Sequence, residues 1–434
     1  MKQVERATLW ILILNLTLGE VLGTTALAQQ PPKVTIALGR AELVAMGDPE
    51  SYQTMLNELY AAFARSHPNI TVRSHPPAPI SPIKDYVESQ ETLPDIIVVA
   101  SGSWEYDEIC YLVDNDLVVS VNRYLEDVEF NKPDIIASLW EAVTYRGKTW
   151  AVPVYGESMA LCCHMDVFAK AGVEKPPSTW DELIDVAQKT TIDLDGDGEI
   201  DQYGLCWNPF GTGLPLALWH TIALQKGARF TKDGVWDFSD PKLAEAFQFI
   251  HDLRHKYGVI TESGPHAMCF KRSHHEAEEN ERIVLLPTFG GQVFGMGECG
   301  FLAISRTSAV REDASWEFIK WFLGTPVYMQ LAIEFATDGF GLLRKSMMDL
   351  EPYRSFVAQE KPELRVFLES LRCSRAAPLI NREGFTGLGL LKKHLRAAYE
   401  NKKSIQVALA DAEQELNSIL KNVKIAKPRY QLYE

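Results

Sequence analysis

Short β-branched strands alternate with an amphipathic helix near the start of the chain, and this alternation constrains the fold more than any other feature. The segments "KVTIAL" (33–38), "HPNITV" (67–72) and "LPDIIVVAS" (93–101) each predict a strand. Between the first two, Asp48 and Pro49 are typical of a helix start, and apolar residues then recur at helical spacing. Strand–helix–strand order with buried strands favours an α/β fold on a mostly parallel sheet.

The size and charge of the chain narrow the possibilities further. A chain of 434 residues is longer than a domain with a single hydrophobic core usually is, so we expect two domains or lobes. The 46% apolar and 23% charged residues are those of an ordinary globular protein rather than a disordered one. The net charge of −15 disfavours nucleic acid and anionic membrane surfaces as partners, because both are themselves negative.

The first 28 residues have the features of a secretory signal peptide. Lys2 and Arg6 form a positive end, residues 9–18 are mostly apolar, and an A-x-A-like site ends at Ala28. Glu20 interrupts the apolar run before it reaches the roughly 20 residues that a membrane span needs. We therefore expect cleavage after Ala28 and a soluble protein in the periplasm or outside the cell.

The seven cysteines do not predict a disulfide framework. They are residues 110, 162, 163, 206, 269, 299 and 373. Because seven is odd, at least one is unpaired unless it joins two chains. Their scatter resembles no zinc pattern, and the adjacent Cys162 and Cys163 are typical of small buried hydrophobic residues. We expect mostly reduced cysteines, with at most one or two disulfides.

The acidic segment "DLDGDGEID" (193–201) has the spacing of an EF-hand calcium loop. Candidate ligands at loop positions 1, 3, 5, 7 and 9 are Asp193, Asp195, Asp197, Glu199 and Asp201. Position 12 is Gly204 where such a loop needs a bidentate glutamate, and the chain has no second loop of this kind. Three interpretations stay open: a regulatory calcium switch, a weak structural calcium site, and an Asp/Gly-rich turn that binds no ion. No cofactor is required by any other motif.

Several segments resemble, in the same order, the extracellular solute-binding proteins of ABC importers, in particular the maltodextrin-binding type. The segments are "YAAFARSHPNITV", "PDIIVVAS", "YRGKTWAVPVYGESMALCCHMDVFAKAGVEKPPSTWDELIDVAQKTT", "DLDGDGEIDQYGLCW" and "ASWEFIKWFLGTPVYMQLA". Each is weak alone, but their order and spacing cover nearly all of the chain after residue 28. One departure is the segment 263–287, which is short and charged where the family usually has a longer stretch beside the ligand.

The resemblance implies a two-lobed periplasmic-binding-protein-like fold. Each lobe is then a mixed sheet flanked by helices, with the ligand in the cleft between the lobes. The expected bounds are 33–147 with 298–342 for the N-terminal lobe, 150–288 with 350–434 for the C-terminal lobe, and hinge crossings near 145–154, 286–297 and 340–349. Such a protein closes its lobes on a ligand by hinge motion and presents the closed form to a membrane permease. A monomer without covalent chemistry is expected.

The candidate ligand-binding residues follow predicted strands or lie near the crossings. They combine the aromatic faces and polar groups that a sugar site requires, and they are Glu42, Trp104, Glu105, Tyr155, Glu157, Trp207, Phe210, Phe289, Gly290 and Gly291. Each aromatic could instead belong to a core, and each carboxylate could be solvated or cap a helix. Trp180, Trp316 and Trp321 lie in helical patterns and are expected in the core, and we expect His274 and His275 in a solvated charged loop.

Two other functions are compatible with the sequence. A secreted glycosidase would need two carboxylates about 5–10 Å apart, and carboxylates do occur among the candidates. A sensor domain could use the same fold to report ligand occupancy to a receptor. The ligand could also be a polyol, a sugar phosphodiester or a peptide, although the aromatic content favours carbohydrate.

Overall fold

The computed structural model describes residues 33–39, 49–75, 83–89, 92–101, 108–211, 216–272, 277–291, 297–324, 328–329, 333, 342–376 and 385–422. The predicted signal peptide, 1–28, and His274 and His275 lie outside these ranges. Within them, no helix combines the length and apolar character that crossing a bilayer demands.

Helices and strands alternate over residues 34–101, as the sequence pattern predicts, and runs of successive strands and of successive helices follow. The strands are β1 (Val34–Gly39), β2 (Ile70–Ser74), β3 (Ile96–Ser101), β4 (Thr144–Tyr145), β5 (Lys148–Thr149), β6 (Ala151–His164), β7 (Tyr203–Cys206), β8 (Thr231–Lys232), β9 (Val235–Trp236), β10 (Ile260–Thr261), β11 (His266–Arg272), β12 (Glu281–Val284) and β13 (Gly297–Ile304). The α-helices are α1 (Pro49–Ser66), α2 (Ile83–Ser89), α3 (Glu108–Asp114), α4 (Met165–Lys170), α5 (Trp180–Thr190), α6 (Ala217–Gln225), α7 (Pro241–His255), α8 (Ala309–Gly324), α9 (Lys345–Met348), α10 (Tyr353–Gln359), α11 (Leu364–Arg372), α12 (Phe385–Tyr399) and α13 (Ile405–Asn422).

The long strand β6 joins two halves of one sheet. Its residues 151–158 pair antiparallel with β13, and its residues 159–164 pair antiparallel with β11 and β12. The strand order is β10-β7-β11-β6-β13-β3-β1-β2, with β12 also paired to β6. Parallel pairs occupy both ends: β1 with β2 and β3, and β7 with β10 and β11. The predicted mixed sheets therefore exist, and one shared strand connects them.

The buried apolar residues form two cores, one for each half of the sheet. The first core contains strands β1 and β3 with helices α1 and α8, and the second contains helices α5, α6, α7, α12 and α13. Trp316 lies in the first core at 3% exposure and Trp180 in the second at 0%, as predicted. Trp321 packs against the first core with part of its ring exposed. Two separate cores agree with two lobes.

The core memberships differ from the predicted lobe bounds. Residues of α10 and α11 belong to the first core, although 350–434 was expected in the C-terminal lobe. The reason is that α11 packs on β6: the Ser158 hydroxyl donates to the Phe367 carbonyl (2.8 Å) and the Ser370 hydroxyl to the Met159 carbonyl (3.1 Å). Strand β6 also passes between the halves near residue 158 rather than at 145–154. We therefore propose that α10 and α11 belong to the N-terminal lobe and that the first crossing lies near residue 158. The sequence could not predict this, because the apolar stripe of a helix shows that one face is buried but not which lobe covers it.

Two helix starts agree with the sequence in atomic detail. The Thr179 side chain accepts from the Glu182 backbone N–H, and the Glu182 carboxylate accepts from the Thr179 backbone N–H, so the predicted capping box is confirmed. Asp240 caps α7, which begins at Pro241. Each cap fixes the residue at which its helix begins.

Candidate functional site

The parallel strands of the N-terminal half end at the edge where β6 leaves it. Strand β13 begins there, because Gly297 pairs with Ser158 of β6 and Cys299 pairs with Ser101, the last residue of β3. Strand β1 runs parallel to β3 and ends at Gly39. In open α/β sheets, ligands bind just beyond these carboxyl ends.

The parallel strands of the C-terminal half end at the same part of β6. Arg272, the last residue of β11, pairs with Met159. Strands β7 and β10 run parallel to β11 and end at Cys206 and Thr261. The carboxyl ends of both halves therefore face the segment around Ser158, which we call the cleft edge.

Tyr155 lies on β6 at the cleft edge, beside Gly300 of β13. The two residues are paired across the strands, and a Cβ at position 300 would stand 2.1 Å from the Tyr155 ring carbon Cε1. Only glycine leaves room for the ring there. The pairing shifts by one residue between Gly300 and Phe301, and the Tyr328 hydroxyl donates to the Val154 carbonyl (2.7 Å). This irregularity orients Tyr155, which is half-buried.

Trp207 follows β7 at the carboxyl end of that strand. Its backbone N–H donates to the Thr261 carbonyl (2.9 Å), and its half-buried ring meets Phe270 edge-on at 6.0 Å. Next to it, the Asn208 amide donates to Glu262 (2.9 Å). An aromatic face thus stands beside an amide and a carboxylate, which is the combination that polar ring-shaped solutes need.

The remaining described candidates lie in the second core or in the segment that follows β12. Phe210 is 8% exposed and packs in the second core edge-on to Tyr399, so we leave it out of the proposed site. Phe289 is 41% exposed and contacts Trp180, with the Lys226 ammonium over its ring at 4.8 Å. Gly290 has a φ of +83°. A Cβ added to Gly290 or Gly291 would meet no atom of the described residues within 4 Å, which leaves their backbone open.

Four candidates lie wholly or partly outside the described residues. Glu42, Trp104 and Glu105 fall in the stretches that follow β1 and β3, and only the backbone of Glu157 is described. Their roles stay predictions.

The acidic segment 193–201 folds as a loop in which carboxylates accept backbone N–H groups. Asp193 accepts from Gly196 (2.6 Å) and Gly198 (2.8 Å), and these bonds lower the pKa of its carboxyl. Carboxylate oxygens of Asp193, Asp195 and Asp197 lie within 4.8 Å of one another. Position 12 stays glycine for a structural reason: a Cβ on Gly204 would lie 2.2 Å from the Ala187 carbonyl oxygen.

The sequence pattern missed the importance of Gly300. No local signal marks it, because its neighbour Tyr155 is 145 residues earlier in the chain. Only the pairing of β6 with β13 brings the two together.

Comparison with known proteins decides the family. The model of the bacterial extracellular solute-binding proteins matches residues 47–264, half of the chain. This chain belongs to that family. The matched region runs from α1 to the turn before β11, so it includes β6 and Trp207.

Two curated relatives show how far the likeness extends. The maltotriose-binding protein of Pyrococcus abyssi is 24% identical over 263 residues, which are 56% of this chain and 53% of that protein. The mannitol-binding protein of Pseudomonas aeruginosa is 24% identical over 212 residues, 47% of this chain and 45% of that protein. The chain thus aligns with about half the length of each of these relatives.

Solved structures share the fold over nearly the whole chain. The cyclic α-maltosyl-1,6-maltose binding protein of Arthrobacter globiformis superposes with a TM-score of 0.71 at 21% identity, covering 90% of this chain and 100% of that one. The sugar-binding protein MalE of Xanthomonas citri gives 0.71 at 20% identity, covering 90% and 98%. At this identity the likeness shows the fold, and it confirms the predicted two-lobed periplasmic-binding-protein-like architecture.

Proposed function

We propose that this protein binds an extracellular solute, most simply a sugar or oligosaccharide, and delivers it unchanged to an ABC importer in the membrane. One observation carries the proposal: the carboxyl ends of the parallel strands in both halves of the sheet face the same part of β6. Membership in the solute-binding family supports the same function. The predicted signal peptide supports a periplasmic or extracellular location.

Carbohydrate is the ligand class that the cleft edge favours. Tyr155 and Trp207 offer half-buried aromatic rings there, and Asn208 and Glu262 offer hydrogen-bonding groups. The names of the aligned relatives, which bind maltotriose and mannitol, support a sugar or a polyol. We propose Glu42, Trp104, Glu105 and Glu157 as further ligand contacts, because they follow or occupy strands that end at this edge.

A binding role rather than catalysis is the simplest interpretation of this site. Binding a sugar between two lobes requires hydrogen bonds and aromatic stacking, and the binding free energy comes from these contacts as the lobes close on the ligand. No reacting group is needed for this. The glycosidase alternative requires two carboxylates across one glycosidic bond and release of a product. Incubation with the bound oligosaccharide, followed by chromatography, should therefore return the ligand intact.

A thermal-shift screen against mono- and oligosaccharides tests the proposal. A ligand that binds only the folded state stabilises it by about 2.7 kcal/mol at 100 times its Kd, so the melting temperature rises. We expect one sugar class to raise it, and Tyr155→Ala and Trp207→Ala to reduce the shift. No response to any sugar, with the fold intact by circular dichroism, would contradict a carbohydrate ligand.

Tyr257→Ala is the matched control for these variants. Tyr257 is also half-buried, but it precedes β10 and so lies at the opposite, amino end of the strands. We expect its replacement to leave the affinity unchanged. Equal losses from Tyr257→Ala and Trp207→Ala would place the ligand away from the cleft edge.

We also propose that the loop 193–201 binds calcium weakly as a structural ion. The proximity of three carboxylates supports this, and the glycine at position 12 argues for low affinity. Calcium should raise the melting temperature of the protein but not that of Asp195→Asn/Asp197→Asn. Asp181→Asn, an exposed aspartate outside the loop, should respond as the unmodified protein does. An equal response of all three would remove the loop as a calcium site.

A further inference from the structure

Four thiol and imidazole side chains converge in the C-terminal half of the sheet, at the part of β6 that begins four residues after Ser158. Cys162 and His164 lie two residues apart on β6 and therefore on one face of the strand. Cys269 of β11 is paired directly with Cys162, and His266 begins the same strand. We call these four residues the thiol–imidazole cluster.

Three members of the cluster lie at mutual ligand spacing, and the fourth, His266, lies at ligand spacing from His164. Ligand atoms of Cys162, His164 and Cys269 all lie within 4.8 Å of one another. The Nε2 atoms of His164 and His266 are 3.4 Å apart. Two nitrogens bound tetrahedrally to one zinc at about 2.0–2.1 Å are separated by roughly 3.4 Å.

The surroundings of His266 prepare its ring for metal binding. Its Nδ1 lies 2.8 Å from the Gly264 carbonyl oxygen, so Nδ1 carries the proton and Nε2 keeps its lone pair. A ligating histidine usually donates its other N–H to a carbonyl in this way, which fixes the ring orientation. The left-handed φ of +96° at Gly264 places that carbonyl, and the same turn brings His266 to His164.

Burial and neighbouring groups complete the cluster. Cys162 is fully buried, whereas His164 is 21% exposed and leaves an access route from solvent. Glu281 of β12 is paired with His164 of β6 and is 3% exposed. Its carboxylate forms an ion pair with Lys271 and lies 3.6 Å from the Nε2 atom of His164.

We propose that Cys162, His164, His266 and Cys269 form a zinc site with two sulfur and two nitrogen ligands. Zinc commonly takes this ligand set in closed tetrahedral sites, whereas calcium and magnesium require oxygen. The zinc ion would link β6 to β11 just beyond the crossing near Ser158, because each strand supplies two of its ligands. It would therefore stabilise the C-terminal half of the sheet. It is independent of the proposed solute binding, which occurs at the cleft edge.

The first test measures metal in the full-length secreted protein. Purified under reducing conditions and without chelator, it should carry about one zinc per chain by mass spectrometry of the metal. Cobalt exchanged for zinc should give visible bands of a tetrahedral site and a near-ultraviolet thiolate-to-cobalt band. The thiolate band reports the two sulfur ligands directly, and it does not depend on any variant folding.

Variants identify the ligands. Cys162→Ser and Cys269→Ser should each weaken the thiolate band, and His266→Gln, at a partly exposed position, should lower the zinc affinity while the fold survives. Cys373→Ser is the matched control, because Cys373 is an exposed free thiol at the end of α11. It should leave both metal content and spectrum unchanged.

Three results would overturn the proposal. One is the absence of stoichiometric zinc or cobalt uptake by the folded, reduced protein. Another is an unchanged cobalt spectrum in Cys269→Ser. The last is peptide mass spectrometry of the secreted protein that finds Cys162 and Cys269 joined in a disulfide, since those thiols could not then bind zinc. Sugar binding measured on the same samples stays a separate result.

Discussion

At the scale of single residues, Gly300 sets the position of a candidate ligand contact. A methyl group at this position would overlap the Tyr155 ring, whose atom Cε1 would be 2.1 Å away. We expect Gly300→Ala to lower the free energy of unfolding by about 1–3 kcal/mol and to weaken sugar binding, because the ring or strand β13 must move. Urea denaturation and ligand titration measure the two effects.

Gly389→Ala is the control for this prediction. Gly389 is exposed in helix α12, and an added Cβ would meet no atom of the described residues within 4 Å. Alanine there should be neutral or stabilising by up to about 1 kcal/mol, since glycine is the poorer helix former. If Gly300→Ala were equally harmless, Tyr155 would not be held as described.

His220 predicts a dependence of stability on pH. It is fully buried, and burial, with a smaller contribution from Arg375, lowers its pKa to about 3. The unfolded chain therefore binds a proton at His220 at a higher pH than the folded chain does. The stability that comes from burying neutral His220 is thus fully present above pH 6.5 and is lost as the pH falls toward 3. Between these values we expect a loss of up to about 1.4 kcal/mol per pH unit.

Denaturant titrations at pH 7, 6 and 5 measure this slope. His220→Leu replaces the titrating group with an apolar side chain of similar size. The free energy of unfolding of this variant should therefore change less with pH, by up to the roughly 1.4 kcal/mol per pH unit expected of His220. Equal slopes would mean that His220 is not held neutral. The carboxyl groups with lowered pKa values, such as Asp193, act mainly at lower pH and do not mimic the effect.

At the scale of secondary-structure elements, the capping box of α5 should contribute measurably to stability. Thr179→Ala removes the side chain that accepts from the Glu182 N–H (3.1 Å). The expected cost is about 1 kcal/mol, because one orphan donor of the first turn loses its partner. Gln188→Ala, at an exposed position of the same helix, should stay within about 0.5 kcal/mol. Equal effects of the two would show that the box adds nothing.

At the scale of the whole molecule, ligand binding should make the protein more compact. Strand β6 connects the two halves, so closure can occur by a small rotation about its residues near Ser158. A closed globule of this length has a radius of gyration of roughly 22 Å. Small-angle X-ray scattering should show a decrease toward this value at saturating sugar. Trp207→Ala at the same sugar concentration should show a smaller decrease in the radius of gyration. If the radius of the unmodified protein stayed unchanged at saturation, closure on the ligand would be excluded.

Much of the architecture could be predicted from local patterns. Buried β-branched strands, the Thr179 box and Asp240 before Pro241 are local, because their interactions lie within a few residues. The resemblance to solute-binding proteins likewise rested on short segments in a shared order, and the family match confirms it. By itself, the sequence thus determined the fold class, the family and the starts of these helices.

Only the tertiary structure decided which distant residues meet. Cys162 and Cys269 are 107 residues apart, so their spacing matches no local zinc motif, yet strand register places them side by side. The same register brings Tyr155 to Gly300, and the packing of α11 on β6 moves that helix into the first core. Strand register and lobe membership arise from long-range pairing and burial, which periodicity along the chain does not record.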